Sequence, residues 1–206
     1  MSESTSTSNQ PVTQIKYTIP FTSVVNAALL RAAAAERMEP TEIIQRATIN
    51  SLIKDGFVEE ADADRIKLFW ALVDRAVQAA QDICLAGRFA SSITLDAIHD
   101  CMQDSAKLAG QPYNWTDGYR AYVRDDIYKN GNPEKGPINR EIGFRIRAGI
   151  GGEVEKGDDK KPKTTKVLGE IIQSYTPMAN FDRVTFKPQT TSSSEAGSLA
   201  FQGEPS

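Results

Sequence analysis

The residues that come closest to metal or acid–base chemistry lie between positions 96 and 104. Asp96, Asp100 and Asp104 recur every four residues, with His99 among them. A carboxylate and an imidazole one helical turn apart can share an ion, provided that a second helix supplies the matching pair. His99 is the single histidine of the chain, so the row reads as a solvated acidic face rather than a metal site. Cys84 and Cys101 are the only cysteines, too few for a disulfide framework or a zinc quartet. They read as small buried apolar side chains rather than nucleophiles. The glycines around 149–152 lack the strand, the spacing and the lysine of a phosphate loop. Asn114-Trp115-Thr116 matches a glycosylation sequon, which has meaning only in a secreted chain. With no nucleophile–base pair, no carboxylate dyad of clear geometry and no metal cluster in sight, the chain reads as a non-enzyme with no cofactor and no metal.

A second chemistry is carried by residues 113–150, where Trp115, Tyr119, Tyr122 and Tyr128 alternate with Arg120, Arg124 and Lys129. Aromatic–basic interleaving is one way to hold nucleic acid. Seven bases against five acids leave residues 115–150 at only +2, and packing is the reading preferred for the aromatics. Within this stretch NGNPEKGP is a turn or loop, and INREIGFRIRAGIG is a short basic helix or a strand pair.

The elements that must position these residues follow from composition and periodicity. The 206 residues carry 24 Lys+Arg and 27 Asp+Glu, a formal charge of -3 and an isoelectric point near 5.3. That balance argues against a protein that coats nucleic acid, but allows one small basic face. No apolar run has the roughly 18–20 residues of a membrane span, and MSESTSTSNQ lacks a secretory signal, so a cytoplasmic protein is expected. Seven of the first thirteen residues are Ser or Thr, and the last eighteen hold only Leu199 and Phe201 as large apolar residues. Residues 1–12 and 189–206 are therefore expected to be disordered tails. Residues 62–86 predict the longest helix, with Ile66, Phe69, Trp70, Val73 and Val77 on one stripe, Asp62 as cap and Gly87 as stop. Residues 95–109 predict another, capped by Thr94, with Leu95, Ile98, Met102 and Ala106 on one face. EVEKGDDKKPKTTK, nine of its fourteen residues charged, reads as a solvated linker or exposed loop. Beyond it, KVLGEIIQSY predicts a short helix and RVTFKP a strand.

The N-terminal stretch, residues 13–58, has a different grammar. Gln14 to Ile19 alternate polar and apolar, the pattern of a short strand with Ile15, Tyr17 and Ile19 on one face. Pro20 ends it. SVVNAALLRAAAAER then predicts a helix capped by Thr22 or Ser23, and TEIIQRATINSLIKDG a second, capped by Thr41 and stopped by Gly56. One strand and two helices make a poor core alone; two copies with antiparallel strands and interlocked helices make a better one. Strand, proline, helix, short turn and capped helix in this order resemble the ribbon–helix–helix (Arc/MetJ-type) DNA-binding family. The resemblance rests on QIKYTI, Pro20 and TEIIQRA, and covers about 45 residues. It implies a two-stranded ribbon in the major groove, with Gln14, Lys16 and Thr18 reading base edges. It also implies the start of the second helix, Thr41 and Glu42, against a phosphate, and a dimer core of Ile15, Tyr17 and Ile19.

The expected architecture is mainly α: a ribbon–helix–helix module at 13–58, a small helical domain at 59–150, and a charged linker with short elements at 151–188. The expected function is that of a homodimeric, sequence-specific DNA-binding protein, a transcriptional repressor or a plasmid or phage accessory factor. Its partners would be double-stranded DNA, a second copy of itself, and a protein partner for residues 59–150, with no membrane. The alternative is a structural or adaptor protein of a virus or mobile element, found in the virion, that uses the N-terminal module for assembly.

Overall fold

In the computed structural model of the chain, residues 19–36, 38–129 and 131–182 are described. Residues 14–18 of the expected strand at 14–19, both terminal tails and RVTFKP lie outside them. The described residues are mainly helical, with six helices and four short strands, and divide into two compact units, one up to Ile44 and the other from Gln45 onward.

The first unit holds α1 (Ser23–Glu36) and the start of α2 (Pro40–Lys54). Thr22 caps α1, its hydroxyl oxygen accepting from the Val25 N–H at 3.4 Å. The second helix starts at Pro40, one residue before the expected Thr41 cap. A proline at the first helical position forfeits no bond, because that N–H has no intrahelical partner. The Glu39 carbonyl opens the helix by accepting from Glu42 and Ile43. Gly56 ends it as expected: at φ 75° it lets the Phe57 N–H turn back to the Leu52 carbonyl, the left-handed stop that an L side chain resists.

The second unit is built on α3 (Glu60–Leu85), against which α4 (Ile93–Gln103), α5 (Trp115–Val123) and α6 (Lys135–Gly149) all pack. Leu68, Leu72, Val73, Ala76, Ala80 and Ile83 recur at three- and four-residue steps and are buried. The alanines among them let neighbouring helices approach closely. Glu59, not Asp62, takes the cap position of α3; Glu60 and Asp62 fall in its first turn, where their charge complements the helix dipole. Gly87 ends it as expected, at φ 69°.

Two expected helices differ in the structure. The one at 95–109 spans Ile93–Gln103 and stops at Asp104, whose carboxylate accepts from the Ala106 N–H and pairs with Arg75 at 2.8 Å. A side chain that satisfies backbone locally competes with continuing a helix; Ala106 is thus exposed and off the helical face. The other correction is KVLGEIIQSY, which forms a hairpin. Strand β2 (Thr165–Lys166) pairs antiparallel with β3 (Ser174–Tyr175), and Ile171 and Ile172 in the connection are buried in the core. Strands β1 (Glu153–Val154) and β4 (Met178–Asn180) also pair antiparallel, and between β1 and β2 the charged stretch is an exposed loop closed by a Lys156–Pro162 bridge.

Cys84 and Cys101 are free and buried. Burial pushes their thiols up to about 11 and about 12. A raised folded-state value means that the native state holds more protons than the unfolded one above the ordinary thiol value of 9. The contribution is therefore whole below pH 9 and is lost as pH rises through 11–12. Neither thiol should react with an aromatic disulfide reagent at neutral pH in the native protein, and both should react in denaturant. Fast native labelling of either would show that it is not buried.

Candidate functional site

The residues singled out from the sequence fall in separate places. Gln14, Ile15, Lys16, Tyr17 and Thr18 lie outside the described residues. Ile19 is exposed, Thr41 is exposed in the first turn of α2, and the Glu42 side chain is buried with its N–H given to Glu39. The acidic row on α4 is shared out among different partners. Asp96 accepts from the Ser92 hydroxyl at 2.8 Å, Asp100 pairs with Arg88, and Asp104 with Arg75. His99 Nε2 lies 2.8 Å from Glu170 on the hairpin connection, so its visible work is to pin that segment to α4. Among the described residues no group of three or more His, Cys, Asp or Glu is placed to hold a metal ion.

Of the aromatics, Trp115, Tyr119 and Tyr122 serve packing, while Tyr113 and Tyr128 are exposed. Trp115 and Tyr119 stack at 5.2 Å and are buried; the indole N–H donates to the Leu72 carbonyl and the Tyr119 hydroxyl to Asn139. Burial holds the Tyr119 phenol well above its ordinary range. Tyr122 carries the Arg65 guanidinium 4.5 Å from its ring centroid, and Arg65 in turn pairs with Glu134.

The feature that residue spacing alone did not reveal is a groove of about 640 Å³ along α6, a volume typical of ligand clefts. One face of α6 forms its floor: Gly136, Asn139, Arg140, Gly143, Phe144 and Arg147, which step by three and four residues and so share a stripe. One end is closed by Lys129, Gly131 and Asn132, and the far wall is Pro162, Thr164 and the hairpin from Ile171 to Met178. Lys135 stands at the head of the floor, its ammonium donating to the carbonyls of Ile127 at 2.6 Å and Lys129 at 3.0 Å. Its desolvation lowers its proton affinity. Asn139 is held from both sides, accepting from Tyr119 and donating to the Ile171 carbonyl. That bond ties floor to wall.

The electrostatics of the groove are one-sided. Among the described residues Lys129, Lys135, Arg140 and Arg147 line it and no aspartate or glutamate does; Lys129 is paired with Asp125 at 2.9 Å outside that lining. Glu134 is drawn to Arg65, Glu141 faces Arg145, and Glu155 faces Lys163. Among the described residues Arg140 and Arg147 form no ion pair and are exposed. A concave, partly apolar surface lined by one sign of charge concentrates ions of the other. The sequence did carry a trace of it in the basic run REIGFRIR. Its opposite wall comes from a hairpin some 25–35 residues further on, which no local pattern connects to it.

No family model, curated protein or solved structure matches the chain.

Proposed function

We propose that the chain is a homodimeric, sequence-specific DNA-binding protein, a repressor or a plasmid or phage accessory factor, built on an N-terminal ribbon–helix–helix module. One observation supports it above the rest. On α1, whose start is capped by Thr22, Val24 is 75% exposed and Leu30 52%, with Val25 exposed as well. A helix of 14 residues draws most of its stability from burying an apolar face. A second copy of the same module would cover these exposed side chains while pairing residues 14–19 strand to strand. Gln14, Lys16 and Thr18 would then point outward from the ribbon, and the start of α2 at Thr41 and Glu42 would lie along the phosphates.

The test is selection of bound fragments from sheared source DNA by the full-length protein at two salt concentrations. The expected result is a discrete, near-palindromic site whose recovery falls steeply with salt. Lys16→Ala should weaken binding to that site roughly 5- to 150-fold, the worth of one base contact. A folded oligomer that recovers no discrete fragment would sink the reading. Residues 13–58 would then serve assembly, as in a structural or adaptor protein.

A further inference from the structure

We infer that the groove along α6 is a second, separate site that takes a nucleotide unit, its phosphates on Arg140 and Arg147 and its base on Phe144. The three residues follow at i, i+4 and i+7 on the floor stripe. They therefore present guanidinium, ring and guanidinium in a line spanning two turns, roughly 10 Å. Phe144 is 54% exposed, and a ring left in water at the centre of a cationic groove is the platform on which a base stacks. Planar guanidinium groups match phosphate oxygens bidentately. The wall adds Tyr175 as a second ring, with Thr164, Ser174 and Thr176 hydroxyls around it.

Two details of the floor set the ligand class. The groove face holds glycine at 136 and 143, where a Cβ would meet nothing closer than 4.0 Å. Neighbouring side chains do not demand those glycines, and helix propensity opposes them. At Gly143, next to Phe144, the effect is to widen the floor for a flat group. An acidic peptide would satisfy the two arginines but would leave the ring uncovered. A sugar–phosphate unit with its base satisfies both. The nucleotide can arrive free or as a link in a single strand, since both carry the same phosphate, sugar and base.

The test uses the full-length protein and fluorescence anisotropy with a short labelled oligothymidylate, which forms no duplex. The expected result is binding that weakens with salt. The Arg140→Ser/Arg147→Ser double variant should lose about tenfold or more and flatten the salt slope by roughly 1.4. Phe144→Ala should lose about fivefold or more, the low end for one stacked base. All three side chains are exposed, so these variants should fold as the parent does, and Lys67→Ala, at an exposed lysine of α3 outside the groove lining, is the charge control. Displacement by thymidine monophosphate assigns the site to free nucleotides; displacement by unlabelled strand alone assigns it to single strands. Unchanged affinity in the double variant overturns the proposal. So does a Phe144→Ala protein that binds as the parent does, because the groove is then a plain cationic face. Fragment selection run in parallel separates the two sites: a chain that recovers no duplex but binds oligothymidylate through Arg140 and Arg147 loses the repressor reading and keeps this one.

Discussion

Trp115→Ala is expected to remove about 3–5 kcal/mol of stability, the usual cost of deleting a buried tryptophan. Trp115 is 1% exposed, and its N–H is satisfied by the Leu72 carbonyl at 3.0 Å. It sits where α5 meets α3, so its loss opens a cavity beside Tyr119, which stacks on it and reaches Asn139 of α6. Against the 5–15 kcal/mol of an ordinary domain, such a loss leaves a substantial unfolded fraction at 37 °C. The measurement is the denaturant midpoint of the variant against Trp115→Phe, which keeps part of the volume and should cost less. A Trp115→Ala protein within 1 kcal/mol of the parent would remove Trp115 from the core.

The second large effect is a difference of sign between two identical substitutions on one helix. Gly149→Ala should destabilise by about 1–3 kcal/mol, the cost of overpacking. Its Cβ would come within 2.5 Å of Val77 Cγ1, and a valine methyl on a stiff, branched side chain has little room to turn aside. Here α6 packs directly on α3, and the Gly149 carbonyl accepts from the buried Gln81 amide at 3.1 Å. Gly143→Ala, six residues earlier, meets only Thr94 Cγ2 at 4.0 Å, and should instead gain about 0.5–1 kcal/mol from helix propensity. Chemical denaturation of the pair checks both. Equal shifts in the same direction would mean that α6 does not run against α3 as described.

What was legible in the sequence was what short-range physics decides. The helix α3 itself, the Thr22 cap and the glycine stops at 56 and 87 each depend on residues within one or two turns, and the structure carries all of them; the buried stripe of α3, though, runs through Leu68, Leu72, Val73 and Ala76, and leaves Ile66, Phe69, Trp70 and Val77 half-buried. The misread segments were decided by partners far along the chain. Ile171 and Ile172 have the look of a helix in KVLGEIIQSY, yet they are buried through a hairpin whose connection His99 holds from 71 residues away. Asp104 ends α4 partly by reaching Arg75, 29 residues upstream. The groove was hidden for the same reason, since its floor is a local pattern and its wall is not.

The same pair of isoleucines has a kinetic meaning. Ile171 and Ile172 anchor the groove wall in the core, Met178 donates its N–H to the Ser91 carbonyl, and Glu170 is bridged to His99. Swinging the wall outward would expose two isoleucine side chains at about 1.5–3 kcal/mol each and break both polar ties. The wall is therefore a fixture rather than a lid. An incoming anion meets a finished trough, so its association rate is governed by encounter and orientation, not by a preceding isomerisation. Added salt then slows capture by screening the approach, with no change in the shape that is approached.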